Sequence, residues 1–196
     1  MTRRTPTGAA VLKPEVTTAI TAAVLDEMAD HGYARLSMEA VAKRAGVGKS
    51  ALYRRWSSKQ EMALAVLAAF SVEQSDIADT GSLRGDLREM LGGVANWLSH
   101  PQFSRILPDL VAEMARTPDL SELVEGMIGR PRRARGLVIL ERAIERGELD
   151  RDTDLELVLD VLAAPIYWRL TVRDGDMEPQ YLDKLVALIS RALGVS

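Results

Sequence analysis

The chain has 196 residues, 47% of them hydrophobic and 27% charged, which suits one or two compact domains and excludes a disordered or fibrous chain. It has no cysteine and two histidines, His31 and His100, so disulfides, thiolate metal sites and cysteine nucleophiles are excluded and imidazole chemistry is scarce. The net charge of −3 is unevenly spread, with ten Lys and Arg against five Asp and Glu over residues 1–60 and 15 against 23 over residues 61–196, the pattern of a polyanion-binding head on an acidic body.

Residues 1–12 are basic and polar and lack the apolar core of a signal peptide; Arg3, Arg4 and Lys13 form either an arm on phosphates or the minor groove, or an idle terminus. The most apolar run, 62–70, is too short to span a bilayer. A cytoplasmic protein with no membrane partner is expected, and the excess of Arg over Lys hints at a GC-rich bacterial genome. Apolar residues at Val16, Ala19, Ile20, Ala23, Val24 and Met28 predict a helix over 14–31, opened by Pro14 and stopped by Gly32. Ser37 caps a second helix over 38–45, with Met38, Val41, Ala42 and Ala45 inward, and Gly46 supplies the left-handed residue after it. Gly48 and Lys49 open a third, short helix to about residue 55, and Ser57 and Ser58 cap a fourth over 59–76. Beyond the turn at 79–82, helices are predicted over 83–99, 102–115, 118–146, 154–173 and 178–193. Pro108 kinks or divides the sixth, and Gly126, Gly129 and Pro131 break the seventh. There is no period-two alternation and no repeat, so the fold class is all-α with about nine helices.

The informative stretch is 37–56. Two short helices meeting steeply need a small residue at their approach, a glycine at the turn and apolar anchors on both sides. Ala42, Gly46, Val41, Val47, Leu52 and Trp56 fill those places. The outer face of the second helix then carries Lys49, Ser50, Tyr53 and Arg54, donors suited to phosphates and base edges. Over 45–62, Ala-Gly-Val-Gly-Lys-Ser-Ala-Leu-Tyr-Arg-Arg-Trp-Ser-Ser-Lys-Gln-Glu-Met, with the helix from Pro14 and Ser37 before it, the sequence resembles the TetR-type transcriptional regulators. Trp56 stands where that family more often has Phe, with the anchoring role intact. The helix order along the rest is similar, and 140–149, Leu-Glu-Arg-Ala-Ile-Glu-Arg-Gly-Glu-Leu, resembles one C-terminal subgroup.

The resemblance implies an N-terminal helix-turn-helix domain over 1–60 and a helical regulatory and dimerisation domain over 61–196. It implies a ligand-responsive regulator, most simply a repressor, that binds a near-palindromic double-stranded DNA operator as a homodimer and is released by a small hydrophobic effector. Its DNA-binding residues would be Ser37, Gly48, Lys49, Ser50, Tyr53, Arg54 and Lys59. Of these, Tyr53, Lys59 and Ser37 would meet phosphates and Lys49 and Ser50 base edges, while Arg54 either reads a base or clamps a phosphate. Arg55 and Lys43 read as solvated. The resemblance places an effector site among the body helices, where Trp97, Phe103, Leu107, Leu110, Glu113, Met114, Met127, Tyr167 and Trp168 are nominated, with Asn96 as a further polar candidate. The same residues equally suit ordinary core packing. The apolar stripes Leu155, Leu159, Leu162 and Leu182, Val186, Ile189 are nominated for the dimer interface.

An enzyme is disfavoured: no catalytic residue, cofactor motif or metal-ligand spacing is found, and Asp150, Asp152 and Asp154 lack the glycine and terminal glutamate of a calcium loop. A DNA-binding module whose body docks only protein partners is the remaining alternative.

Overall fold

The computed structural model describes residues 14–73 and 79–195. The head consists of α1 (Pro14–Arg35), α2 (Met38–Arg44) and α3 (Lys49–Tyr53), and α4 (Lys59–Glu73) leads away from it. Then come α5 (Leu83–Leu98), α6 (Phe103–Met114), α7 (Pro118–Val124), α8 (Arg130–Glu145), α9 (Leu155–Tyr167) and α10 (Pro179–Ala192). Among the described residues there is no strand, and no helix is long and apolar enough to cross a membrane. The basic arm and predicted helical residues 74–76 lie outside the described residues.

In α1, Ile20, Ala23, Val24, Leu25 and Met28 are buried. Helical geometry fails at Gly32 (φ 77°, ψ 165°), a conformation nearly confined to glycine, so the helix stops where predicted and residues 33–35 form a separate turn. Ser37 caps α2 through its Oγ, which accepts the Ala40 N–H at 3.1 Å. At the other end Gly46 (φ 66°) donates to Lys43 O at 3.3 Å and Val47 donates to Ala42 O at 3.0 Å, a Schellman closure that sets the angle at which α3 leaves. Arg44 ties α2 back to α1 through Glu27 at 2.7 Å and Asp30 at 2.9 Å.

Around α5, whose Leu83, Leu87 and Leu91 are fully buried, pack α8, α9 and α10. Helix α6 lies along α1, and α4 touches both α1 and the turn after α7. The predicted break at Gly126, Gly129 and Pro131 takes the form of a π turn, Glu125–Gly129, between α7 and α8, in which the Arg130 N–H reaches Glu125 O. The wider turn absorbs the donor that Pro131 lacks. Helix α9 contains Pro165 and ends in a second π turn, Trp168–Val172, whereas Pro108 sits exposed within α6 without dividing it. Counting α7 and α8 as one, the described residues form nine rods.

The segment 140–149 ties the end of α8 to the start of α5. Gly147 (φ 73°) turns the chain after α8, and Glu148 then accepts the Leu83 N–H at 2.5 Å, at the start of α5. Arg146 donates to Glu148 at 2.5 Å and to the fully buried Asp86 at 3.1 Å. Asp150 and Asp154 accept backbone N–H groups of Asp152 and Leu157, so these acidic residues cap local structure.

Candidate nucleic-acid interface and body cavity

Helix α3 is only five residues long, and its orientation follows from one anchor: Leu52 is fully buried against the head core. With Leu52 inward, Gly48, Lys49, Ser50, Tyr53 and Arg54 all face solvent, and Tyr53 is 57% exposed. Arg54 is the C-cap residue rather than an interior one, the helix ending two residues earlier than predicted. Lys49 Nζ lies 2.8 Å from Glu39, holding that carboxyl below the usual carboxylate range. An exposed pair of this kind is readily exchanged for a phosphate or base edge. Ser37 Oγ accepts from Ala40 and keeps its hydroxyl proton to donate.

Lys59 is more constrained than its position in the sequence suggests. Its Nζ donates to Tyr33 O at 3.3 Å and Ala34 O at 3.0 Å and lies 5.1 Å from the Tyr33 ring centroid. The charge therefore caps the end of α1 while still bordering the head. Arg55 is half-buried rather than fully solvated: its Nε and Nη1 are buried with no hydrogen-bond partner among the described residues, and its guanidinium lies 5.9 Å from the Trp56 ring centroid. Trp56 anchors the turn and draws Arg55 inward with it.

Head and body meet along α1 and α6, where Gln102 Nε2 donates to Asp26 at 2.5 Å and Arg105 lies 3.4 Å from Asp30. The Tyr33 N–H donates to Asp109 of α6 at 2.8 Å, directly after Gly32, so the junction between α1 and α6 is hydrogen-bonded as well as packed. Deeper in the body, a cavity of about 460 Å³ opens between α5, α8 and α9. Its apolar wall includes Met90, Leu91, Ile139, Leu159, Leu162 and Ala163, and its polar groups are Asn96, Glu89 and the arginines Arg88, Arg132, Arg133 and Arg135. The glycines Gly92, Gly93 and Gly136 keep the wall thin. A volume of this size suits a small organic molecule.

Residues 20–66 match the family described as "Bacterial regulatory proteins, tetR family", and residues 77–189 match "Tetracyclin repressor-like, C-terminal domain". The DNA-binding transcriptional repressor TetR of Mycobacteroides abscessus is 33% identical over 169 residues, covering 86% of this chain and 88% of that protein. Among solved structures, the TetR family transcription regulator SCO0332 matches with a TM-score of 0.72 and 28% identity over 90% of this chain and 97% of that one. The flavonoid-responsive regulator FrrA, 18% identical, shares the fold with a TM-score of 0.71 over 91% and 94% of the two chains. The chain belongs to the TetR family.

It is therefore a DNA-binding transcriptional regulator, in a family of regulators rather than enzymes. In this TetR-family chain the nominated effector residues and the cavity fall in different places. Trp97, Phe103 and Leu110 are buried, with the Trp97 and Phe103 rings stacked 4.1 Å apart, while Leu107, Met114 and Tyr167 pack on the core from its edge. Glu113 accepts from Arg116 at 2.8 Å, and this bond keeps its carboxyl below the ordinary range against some burial. Met127 and Trp168 face solvent. None of these nine lines the cavity, whereas Asn96 does. Arg132 stands among Arg130, Arg133 and Arg135, and nothing in that stretch of sequence marks which arginine reaches the cavity; the packing of α8 on α5 decides it.

The nominated dimer residues are likewise occupied within the regulator. Leu159, Leu162, Leu182, Val186 and Ile189 are buried by the chain's own core, and Leu155 packs at its edge. The apolar face left uncovered on α9 and its π turn consists of Leu157, Val161, Ala164, Trp168 and Val172.

Proposed function

We propose that this chain is an effector-responsive repressor that binds a near-palindromic operator as a homodimer. The observation that carries this reading is the exposed donor face of α3, with Lys49, Ser50, Tyr53 and Arg54 side by side on a helix of major-groove size. Tyr53, Ser37 and Lys59 take phosphates, Lys49 and Ser50 take base edges, Arg54 takes a base or a phosphate, and the exposed Gly48 lets the backbone approach closely. Residues 1–60 form the DNA-binding unit and residues 61–196 the regulatory one, with α4 between them. The repressor name of the Mycobacteroides relative supports repression, and the flavonoid-responsive neighbour supports a small-molecule effector for a body of this fold.

Dimerisation follows from the uncovered stripe on α9. Leu157, Val161, Ala164, Trp168 and Val172 repeat every three or four residues, the spacing of a helix face that packs against a copy of itself. A two-fold pair presents its recognition helices about one DNA turn apart. An effector in the cavity then acts by favouring a body conformation whose heads are out of register with successive grooves. A cytoplasmic location goes with that DNA partner.

The test is fluorescence anisotropy of the full chain on DNA from its own upstream region, against a scrambled duplex and across a salt series. Preferential, salt-sensitive binding is expected. Tyr53→Ala should weaken binding to all duplexes and reduce the salt slope, whereas Arg54→Ala should cost about 1–3 kcal/mol on the preferred site and relax its base preference if it reads a base. No binding at low salt would overturn the reading.

A further inference from the structure

Four arginines and one carboxylate line the cavity, but their charges are not equally satisfied. Arg88 donates to Asp183 at 2.6 Å, and Arg133 pairs with Asp160 at 2.6 Å and with Glu156. Arg132 has no carboxylate partner among the described residues. It donates from Nη1 to the carbonyl of Ser71 at 3.1 Å, and its guanidinium lies 3.9 Å from the Trp97 ring centroid. Burial, aided by the charge of Arg135, lowers its pKa to about 10. The neighbouring Trp97 is itself buried and its Nε1 has no hydrogen-bond acceptor among the described residues. A cation taken from water without an anion beside it is costly.

The Ser71 carbonyl belongs to the last turn of α4, so Arg132 is shared between the cavity and the helix that leads to the head. Resting on the reading of this chain as an effector-responsive regulator, we propose that the cavity takes a small amphipathic carboxylate. Its apolar body lies against Met90, Leu91, Ile139 and Leu162, and its charge pairs with Arg132, which gives up the Ser71 carbonyl. A planar guanidinium forks onto a carboxylate with two parallel hydrogen bonds, whereas a peptide carbonyl offers it a neutral oxygen. The exchange is therefore downhill in charge pairing, and it removes a cationic hydrogen-bond donor from the C-terminal turn of α4.

The experiment titrates the full chain by calorimetry with benzoate, 2-naphthoate and decanoate, each against its own primary amide. At least one carboxylate should bind about tenfold or more tightly than its amide. Arg132→Gln should abolish that preference while leaving the helical circular dichroism spectrum in place, and Arg132→Lys, which keeps the charge without the fork, should retain part of it. In the DNA assay the preferred carboxylate should release wild-type protein and its amide should not. Equal binding of every acid and amide, or a preference that survives in Arg132→Gln, overturns the proposal. Because acid against amide is read on the protein alone, failure of DNA binding would instead count against the regulator reading.

Discussion

At Gly32 the backbone does what no other residue does without strain, and its surroundings explain why that matters. A Cβ built there would lie 2.9 Å from both carboxylate oxygens of Asp109, the group that holds the Tyr33 N–H. Gly32→Ala should therefore combine backbone strain of about 1–3 kcal/mol with displacement of the α1–α6 bond, seen as a lower denaturation midpoint. Asp86 is a second residue whose chemistry is set by position. Burial pushes its pKa up, but the Thr80 N–H at 2.7 Å, the Thr80 hydroxyl at 2.8 Å and Arg146 at 3.1 Å prevail and hold it below the usual range. A depressed carboxyl adds stability that is fully present above its unfolded pKa, near 3.9, and is lost as pH falls through the folded value. Asp86→Asn should cost about 3 kcal/mol near neutrality, and the gap to wild type should narrow as pH falls below about 4 in parallel urea titrations. An unchanged gap would mean that Asp86 acts through packing rather than charge.

At the scale of elements, the prolines and the stripes carry the lesson. A proline removes one backbone donor wherever it falls, but what the chain does next depends on the neighbours. Pro131 is accommodated by the π turn before it and Pro108 by an exposed position in α6. The dimer stripe turns on a similar point. Helix α9 is apolar nearly all round, so periodicity finds two faces; α5 and α8 cover one of them, and Leu157 and Trp168 remain 60% and 57% exposed. Val161→Glu or Trp168→Glu should yield monomers in sedimentation analysis with the helical content kept, because a charge facing its own copy is left unpaired. Dimers in both variants would place the interface on another face.

On the scale of the whole molecule, the monomeric variants should also lose operator affinity, since each head alone reaches only one half-site. Between head and body, Asp109 holds the Tyr33 N–H, Gln102 holds Asp26 and Arg132 holds the last turn of α4. The local sequence by itself determined the all-α class, the caps at Ser37 and Gly46, the stop at Gly32 and the donor face of α3, because each depends on neighbours within a turn or two of helix. Only the tertiary structure decided which side of α9 is left bare, that Trp97 and Phe103 stack in the core and that Arg132 lines a cavity. Those outcomes depend on which distant helix covers a given face, and a stripe pattern records that a face is apolar without recording what lies against it.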